Sequence, residues 1–129
     1  MLVEPETMAP AAAHQPSRAE SIRAALLRRR SELSQEREKA LADLEVNGGV
    51  DSGDDAADLG TKAFAREQDL VMVSGIQDRI DQVERALDQF ARGKYGWCER
   101  CAEEIPVARL AAFPAATQCV RCKQLEERR

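Results

Sequence analysis

Residues 73–90 read VSGIQDRIDQVERALDQF, and in them Val73, Ile76, Ile80, Val83, Leu87 and Phe90 recur alternately three and four apart. That alternation is the spacing of a coiled-coil seam, a single narrow apolar line along a charged helix. Leu70 and Phe64 are expected to extend the apolar face toward the preceding turn. Gly75 is a weak point within it. The helix is predicted from near Leu59 to about Ala91.

Upstream of it a second long helix is expected, beginning just after Pro16. Ser17 is the candidate N-cap, and Glu20 three residues on completes a capping-box pattern. No Gly or Pro interrupts the chain from there to about Val46. Ile22, Leu26, Leu33, Ala40 and Leu44 form a narrow stripe at heptad-like intervals, which Arg29 and Arg37 interrupt. Between the two helices lies Asn47-Gly48-Gly49-Val50-Asp51-Ser52-Gly53-Asp54-Asp55-Ala56-Ala57-Asp58, with three glycines, four aspartates and no basic residue. This is a turn, and Asp58 is the expected cap of the helix that follows. Two helices of about 30 residues, each ~45 Å long, pair best as an antiparallel hairpin with an acidic tip.

Composition agrees with an elongated shape. The 129 residues are 4% aromatic and 33% charged, which suits charged helices better than a thick core. The formal charge is −4, from 19 basic and 23 acidic side chains, and this balance weighs against a protein that grips duplex DNA through phosphates. The first residues, Met-Leu-Val-Glu-Pro-Glu-Thr, have neither the basic nor the apolar region of a signal peptide. No run approaches the roughly 20 apolar residues of a membrane helix. The expectation is a cytoplasmic protein without membrane contact. Residues 1–16 read as a flexible tail, and its His14 as a solvated residue.

Cys98-Glu99-Arg100-Cys101 is followed after 17 residues by Cys119-Val120-Arg121-Cys122. A CxxC pair lets one tight turn present two sulfurs to a metal, and two pairs complete a tetrahedron with Zn–S bonds of ~2.3 Å. Four thiolates leave no position for a reactive water, so the expected cofactor is one structural zinc ion that folds a segment too small to bury its own core. Lys94, Arg100, Arg121 and Lys123 are close enough in sequence to offset the excess negative charge. A redox-active CxxC pair is the competing reading, but no strand pattern precedes Cys98.

Tyr95-Gly96-Trp97-Cys98-Glu99-Arg100-Cys101, then Ile105, Arg109-Leu110, Pro114 and Cys119-Val120-Arg121-Cys122-Lys123 closely resemble the zinc-finger signature of the DksA/TraR family of bacterial transcription regulators. The match is specific over residues 94–123, and with the hairpin the resemblance covers about residues 20–125. It implies a mostly α protein. Its expected parts are an N-terminal tail (1–16), a coiled-coil hairpin (17–93) with its tip at about 47–58, a zinc-finger module (94–123) and a C-terminal tail (124–129). It further implies that the protein binds RNA polymerase and inserts the coiled-coil tip into the secondary channel, where tip aspartates act near the catalytic centre.

The family's tip pattern is Asp-x-x-Asp-x-Ala. Counting back from Cys98 without a gap sets it on Asp55, Asp58 and Gly60, which loses the alanine. Asp51, Asp54 and Ala56 fit in full but need a gap of four residues. The gapless placement is preferred because the long helix shows no insertion. Relatives often carry glycine where this chain has Ala102. For the alarmone ppGpp the resemblance implies Lys123 as a contact, whereas the second helix offers Gly75 and Gln82 in the stretch where responsive relatives carry basic residues.

The resulting expectation is a non-enzymatic transcription regulator; the alternative is a zinc-stabilised coiled-coil adaptor for another protein partner. Direct sequence-specific DNA contact is not expected, because residues 94–129 carry seven basic and five acidic side chains and lack the layout of a C2H2 reader. An enzyme is disfavoured because there is no glycine-rich phosphate loop and no histidine outside the tail.

Overall fold

A computed structural model describes residues 17–47, 53 and 55–128. The expected tail, His14, Asp51 and Asp54 lie outside the described residues. Among the described residues four helices follow in order: α1 (Arg18–Asn47), α2 (Ala56–Ala91), α3 (Val107–Ala112) and α4 (Val120–Glu127). Among the described residues none is long and apolar enough to cross a membrane.

The ends of α1 and α2 are fixed by local chemistry. At the start of α1 the Ser17 N–H donates to Glu20 Oε1 at 2.9 Å, and the Glu20 N–H donates to Ser17 Oγ at 3.0 Å, a reciprocal capping box. Helix α2 starts earlier than expected. Its N-cap is Asp55, not Asp58: the Asp58 N–H donates to Asp55 Oδ1 at 2.8 Å. Ala56 and Ala57 are strong helix formers, so the helix extends back to the first carboxylate that can accept from its free N–H groups. At the other end the Lys94 N–H donates to Gln89 O at 2.8 Å and the Gly93 N–H to Phe90 O at 3.0 Å. With Gly93 at φ 70° this is a Schellman stop, which needs a left-handed residue just past the helix.

Helices α1 and α2 pack as an antiparallel hairpin. Leu26 and Leu33 bury against Ile76, Ile80, Val83 and Ala86, with Leu33 at 0% and Ile76 at 1% exposure. Ile22, Ala40, Leu87 and Phe90 flank this core. Of the two arginines in the α1 stripe, Arg37 donates to Gln77 Oε1 on α2, and Arg29 stays at the surface beside Glu32 at 3.6 Å. The hydrogen bond satisfies one guanidinium nitrogen at the seam, while Arg37 Nε is buried there without a hydrogen-bond partner, a cost the pairing face carries at this position.

Toward the tip the seam changes character. Phe64 and Leu70 do not extend the buried face; they are exposed. The heptad spacing that joins Ile76 to Val73 continues back to Asp69, Arg66 and Lys62, so the two apolar residues fall off the register of the pairing face. No described residue of α1 beyond Leu33, or of α2 before Ile76, is fully buried.

At the opposite end the C-terminal module folds back onto the hairpin. Ala115 joins the hairpin core, the Phe90 and Tyr95 rings stack with centroids 4.0 Å apart, and the Tyr95 hydroxyl donates to Pro114 O at 2.7 Å. Helix α4 continues through Glu127, so residues 124–127 are helical where a tail was expected.

Candidate metal centre and acidic tip

Cys98 and Cys101 sit on a tight turn whose backbone is held on both sides. The Ala102 N–H donates to Cys98 O at 2.9 Å, the Cys98 N–H to Glu103 O at 2.8 Å, and the Ile105 N–H to Gly96 O at 2.7 Å. Trp97 and Glu104 form an antiparallel bridge across it. The turn forces Ala102 to φ 63°, the left-handed region, so an alanine occupies the conformation that favours glycine. Cys119 and Cys122 come from a helix start. Cys119 is the N-cap of α4, and its Sγ accepts from the Cys122 N–H at 3.4 Å.

The two pairs converge. Their four Sγ atoms all lie within 4.8 Å of one another, and the Cys101 and Cys119 sulfurs are 3.8 Å apart. A tetrahedron with Zn–S bonds of ~2.3 Å has edges of about 3.8 Å; a disulfide would need about 2 Å. The donor set therefore fits one zinc ion. Cys98 and Cys122 are buried, Cys101 and Cys119 half-buried, and Ile105 and Leu110 pack against them as an apolar shell.

The thiols divide in acidity. Burial raises Cys98, but hydrogen bonds from the backbone of Cys101, Cys119 and Arg100 and from the Cys101 side chain outweigh it and bring it to about 6. Its hydrogen bond with Cys119, followed by burial, pushes Cys122 up to about 12. A divalent cation removes the conflict by replacing the retained proton. Among the four cations expected near the cluster, Arg121 is held charged first by Glu103, 3.9 Å away, and then by Cys101 and Cys119. Lys123 is turned to Glu126 at 3.3 Å. It lines a cleft of about 390 Å³ shared with Arg79, Arg85, Arg109 and the carboxylates of Asp78 and Asp81.

A polar network locks the metal module to α2. Gln82 Nε2 donates to Ala115 O at 2.7 Å and to Thr117 Oγ1 at 3.2 Å; Thr117 Oγ1 donates to Glu99 Oε2 at 2.6 Å, and the Glu99 N–H donates to Thr117 O at 2.8 Å. Arg85 adds a looser contact to Glu99 at 3.9 Å. Gln82 and Thr117 escaped the sequence reading as docking residues. The available signal was the run of small residues Ala115-Ala116-Thr117, which can lie close against a helix.

The acidic tip occupies the far end of α2. Asp55 and Asp58 stand on its first turn, both exposed and linked by the cap hydrogen bond. From there to Ala91 the 36-residue helix runs about 54 Å. The acidic first turn of α2 and the metal centre therefore lie at opposite ends of one rod.

Residues 93–128 match the prokaryotic dksA/traR C4-type zinc finger. The solved structure of transcription factor DksA2 from Pseudomonas aeruginosa is 31% identical, covers 95% of each chain and superposes with a TM-score of 0.71. The chain belongs to the DksA/TraR family. Among curated relatives, the RNA polymerase-binding transcription factor DksA of Caulobacter vibrioides is 38% identical over 57% of this chain and 54% of its own length. General stress protein 16O of Bacillus subtilis is 34% identical over 76% of this chain and 61% of its own length. The chain thus spans little more than half the length of the curated relatives it matches. As in the family's C4 finger, Cys98, Cys101, Cys119 and Cys122 are placed to hold one structural zinc ion. In this DksA/TraR member the left-handed turn after Cys101 forms even with alanine at position 102.

Proposed function

We propose that the protein regulates transcription by binding bacterial RNA polymerase, with the acidic end of its hairpin entering the secondary channel and the zinc module acting as the base of the rod. Family membership, and relatives such as the RNA polymerase-binding transcription factor DksA of Caulobacter, support the choice of partner. The observation that carries the reading is the separation of parts. Asp55 and Asp58 project about 40 Å beyond the point where Gln82, Thr117 and Glu99 clamp the base to α2. A narrow rod of this kind reaches a buried centre that a compact domain cannot enter. Carboxylates at its end then act on basic catalytic elements or bound magnesium by charge. The protein needs no chemistry of its own for this, and it works where the polymerase is, in the cytoplasm.

Purified zinc-loaded protein should capture RNA polymerase, and blocking the secondary channel should remove the binding. Asp55→Asn with Asp58→Asn should leave affinity unchanged and abolish the effect on transcription. Asparagine still caps a helix, so this change isolates charge from helix start. Full regulation by that variant, lost instead with Asp51→Asn and Asp54→Asn, would move the working carboxylates to the other pair. Binding that survives the channel block would favour an adaptor that docks elsewhere.

A further inference from the structure

Phe64 and Val71 are 64% and 63% exposed, high values for large apolar side chains on a regular helix. Seven residues apart, they lie two turns from each other on one face of α2. At 3.6 residues per turn that face is about 140° round the helix from the Ile76, Ile80 and Val83 seam. It therefore points away from α1. Gly60 and Gly75 fall near the same line on either side. A Cβ at either glycine would meet nothing within 4 Å, so the fold itself does not require a glycine there. The line presents two apolar side chains flanked by two glycines, with the exposed Glu67 and Gln68 beside it on the intervening turn, and a partner's side chains can approach its backbone closely at the glycines.

Charge narrows the partner. Residues 36–69, the distal half of the hairpin, carry ten carboxylates and four basic side chains, a net −6 in a chain whose total is −4. Nucleic acid and anionic bilayers are repelled by such a surface. A second copy, itself net −4, offers no complementary field. Nor is the apolar strip sufficient alone: it exposes on the order of 200 Å², against roughly 800 Å² per partner in a stable interface. It fits a larger contact in which a basic protein surface supplies the remaining attraction.

We infer that the outer face of distal α2, centred on Phe64 and Val71, is the affinity-determining contact with a basic, partly apolar surface of RNA polymerase, while the tip aspartates determine the effect. This rests on the polymerase reading above and divides its labour between two sets of residues. Apolar side chains anchored within a complementary surface carry much of an interface's affinity. Polar rims and charged tips contribute more to encounter rate and specificity.

The test measures the affinity of full-length, zinc-loaded protein for RNA polymerase, beside helicity and zinc content. Phe64→Ala with Val71→Ala should weaken binding about tenfold or more, as expected when interface anchors are truncated, with helicity and zinc unchanged. Asp55→Asn with Asp58→Asn should bind as wild type. An affinity within twofold of wild type for the alanine pair overturns the inference and leaves the polymerase reading standing. No binding by the wild type overturns both. A concentration-dependent dimer in sedimentation that the alanine pair abolishes assigns the strip to a second copy and overturns the inference as well.

Discussion

Gln82, about three-quarters of the way along the hairpin's second helix, hands its side-chain amide to the main-chain oxygen of Ala115 at 2.7 Å, joining rod and metal module across 33 positions of chain. The bond fixes the direction of the zinc module relative to α2, because Thr117 and Glu99 continue the same network toward Cys98. Rod and base therefore behave as one body.

Gln82→Ala should loosen that joint. The Ala115 oxygen, on a residue only 6% exposed, loses its donor, and Thr117 loses a partner. A cost of about 1–2 kcal/mol in global stability is expected. Amide exchange should quicken in residues 115–118 while the Leu33 and Ile76 region stays protected. Unchanged exchange there would mean that the Tyr95 and Pro114 contacts suffice for docking.

Ala102→Gly should stabilise the zinc-loaded protein. Ala102 holds φ 63°, where a Cβ costs roughly 1 kcal/mol and glycine is at ease. Chemical denaturation should register a gain of about that size, reduced by the greater freedom of glycine in the unfolded chain. A loss would show that the alanine methyl packs against something worth more than the strain.

Gly75→Ala should also stabilise, by about 0.5–1 kcal/mol, because glycine within a helix costs that much relative to alanine. The added methyl enters open space, and no positive φ is required there. The thermal midpoint of the isolated protein is the simplest readout.

Removal of zinc should unfold the C-terminal module and spare the rod. Cys119→Ser should bring metal content from one ion per chain to none, with loss of the Trp97 near-ultraviolet signal but retention of most helicity. Retention of one zinc per chain would count against the four-thiolate assignment. Zinc and protons compete for the same sulfurs, so affinity should fall as the pH falls. With Cys122 pushed up to about 12 and Cys98 down to about 6, the thiol cluster keeps the Cys122 proton at neutral pH. Calorimetry at pH 7 in buffers of different ionisation enthalpy should thus show at least about one proton released per zinc. Release of none would mean that the cluster is fully ionised before the metal enters.

The sequence alone determined the features that depend on local spacing. Two CxxC turns define a tetrahedral donor set whatever surrounds them, and the three-four recurrence from Val73 to Phe90 defines a helix with one apolar line. Ser17 with Glu20, and the halt near Ala91, are likewise local: a side chain or a glycine satisfies backbone groups within one turn. Tertiary structure decided what depends on partners far along the chain. Whether Asp55 or Asp58 caps α2 turned on how far the alanines carried the helix back. The outward direction of Phe64 was set by register against α1, not by hydrophobicity. The docking of Thr117 on Gln82 joins residues 35 positions apart, a contact that no periodicity encodes and that forms only because Ala115 is small enough to enter the hairpin core.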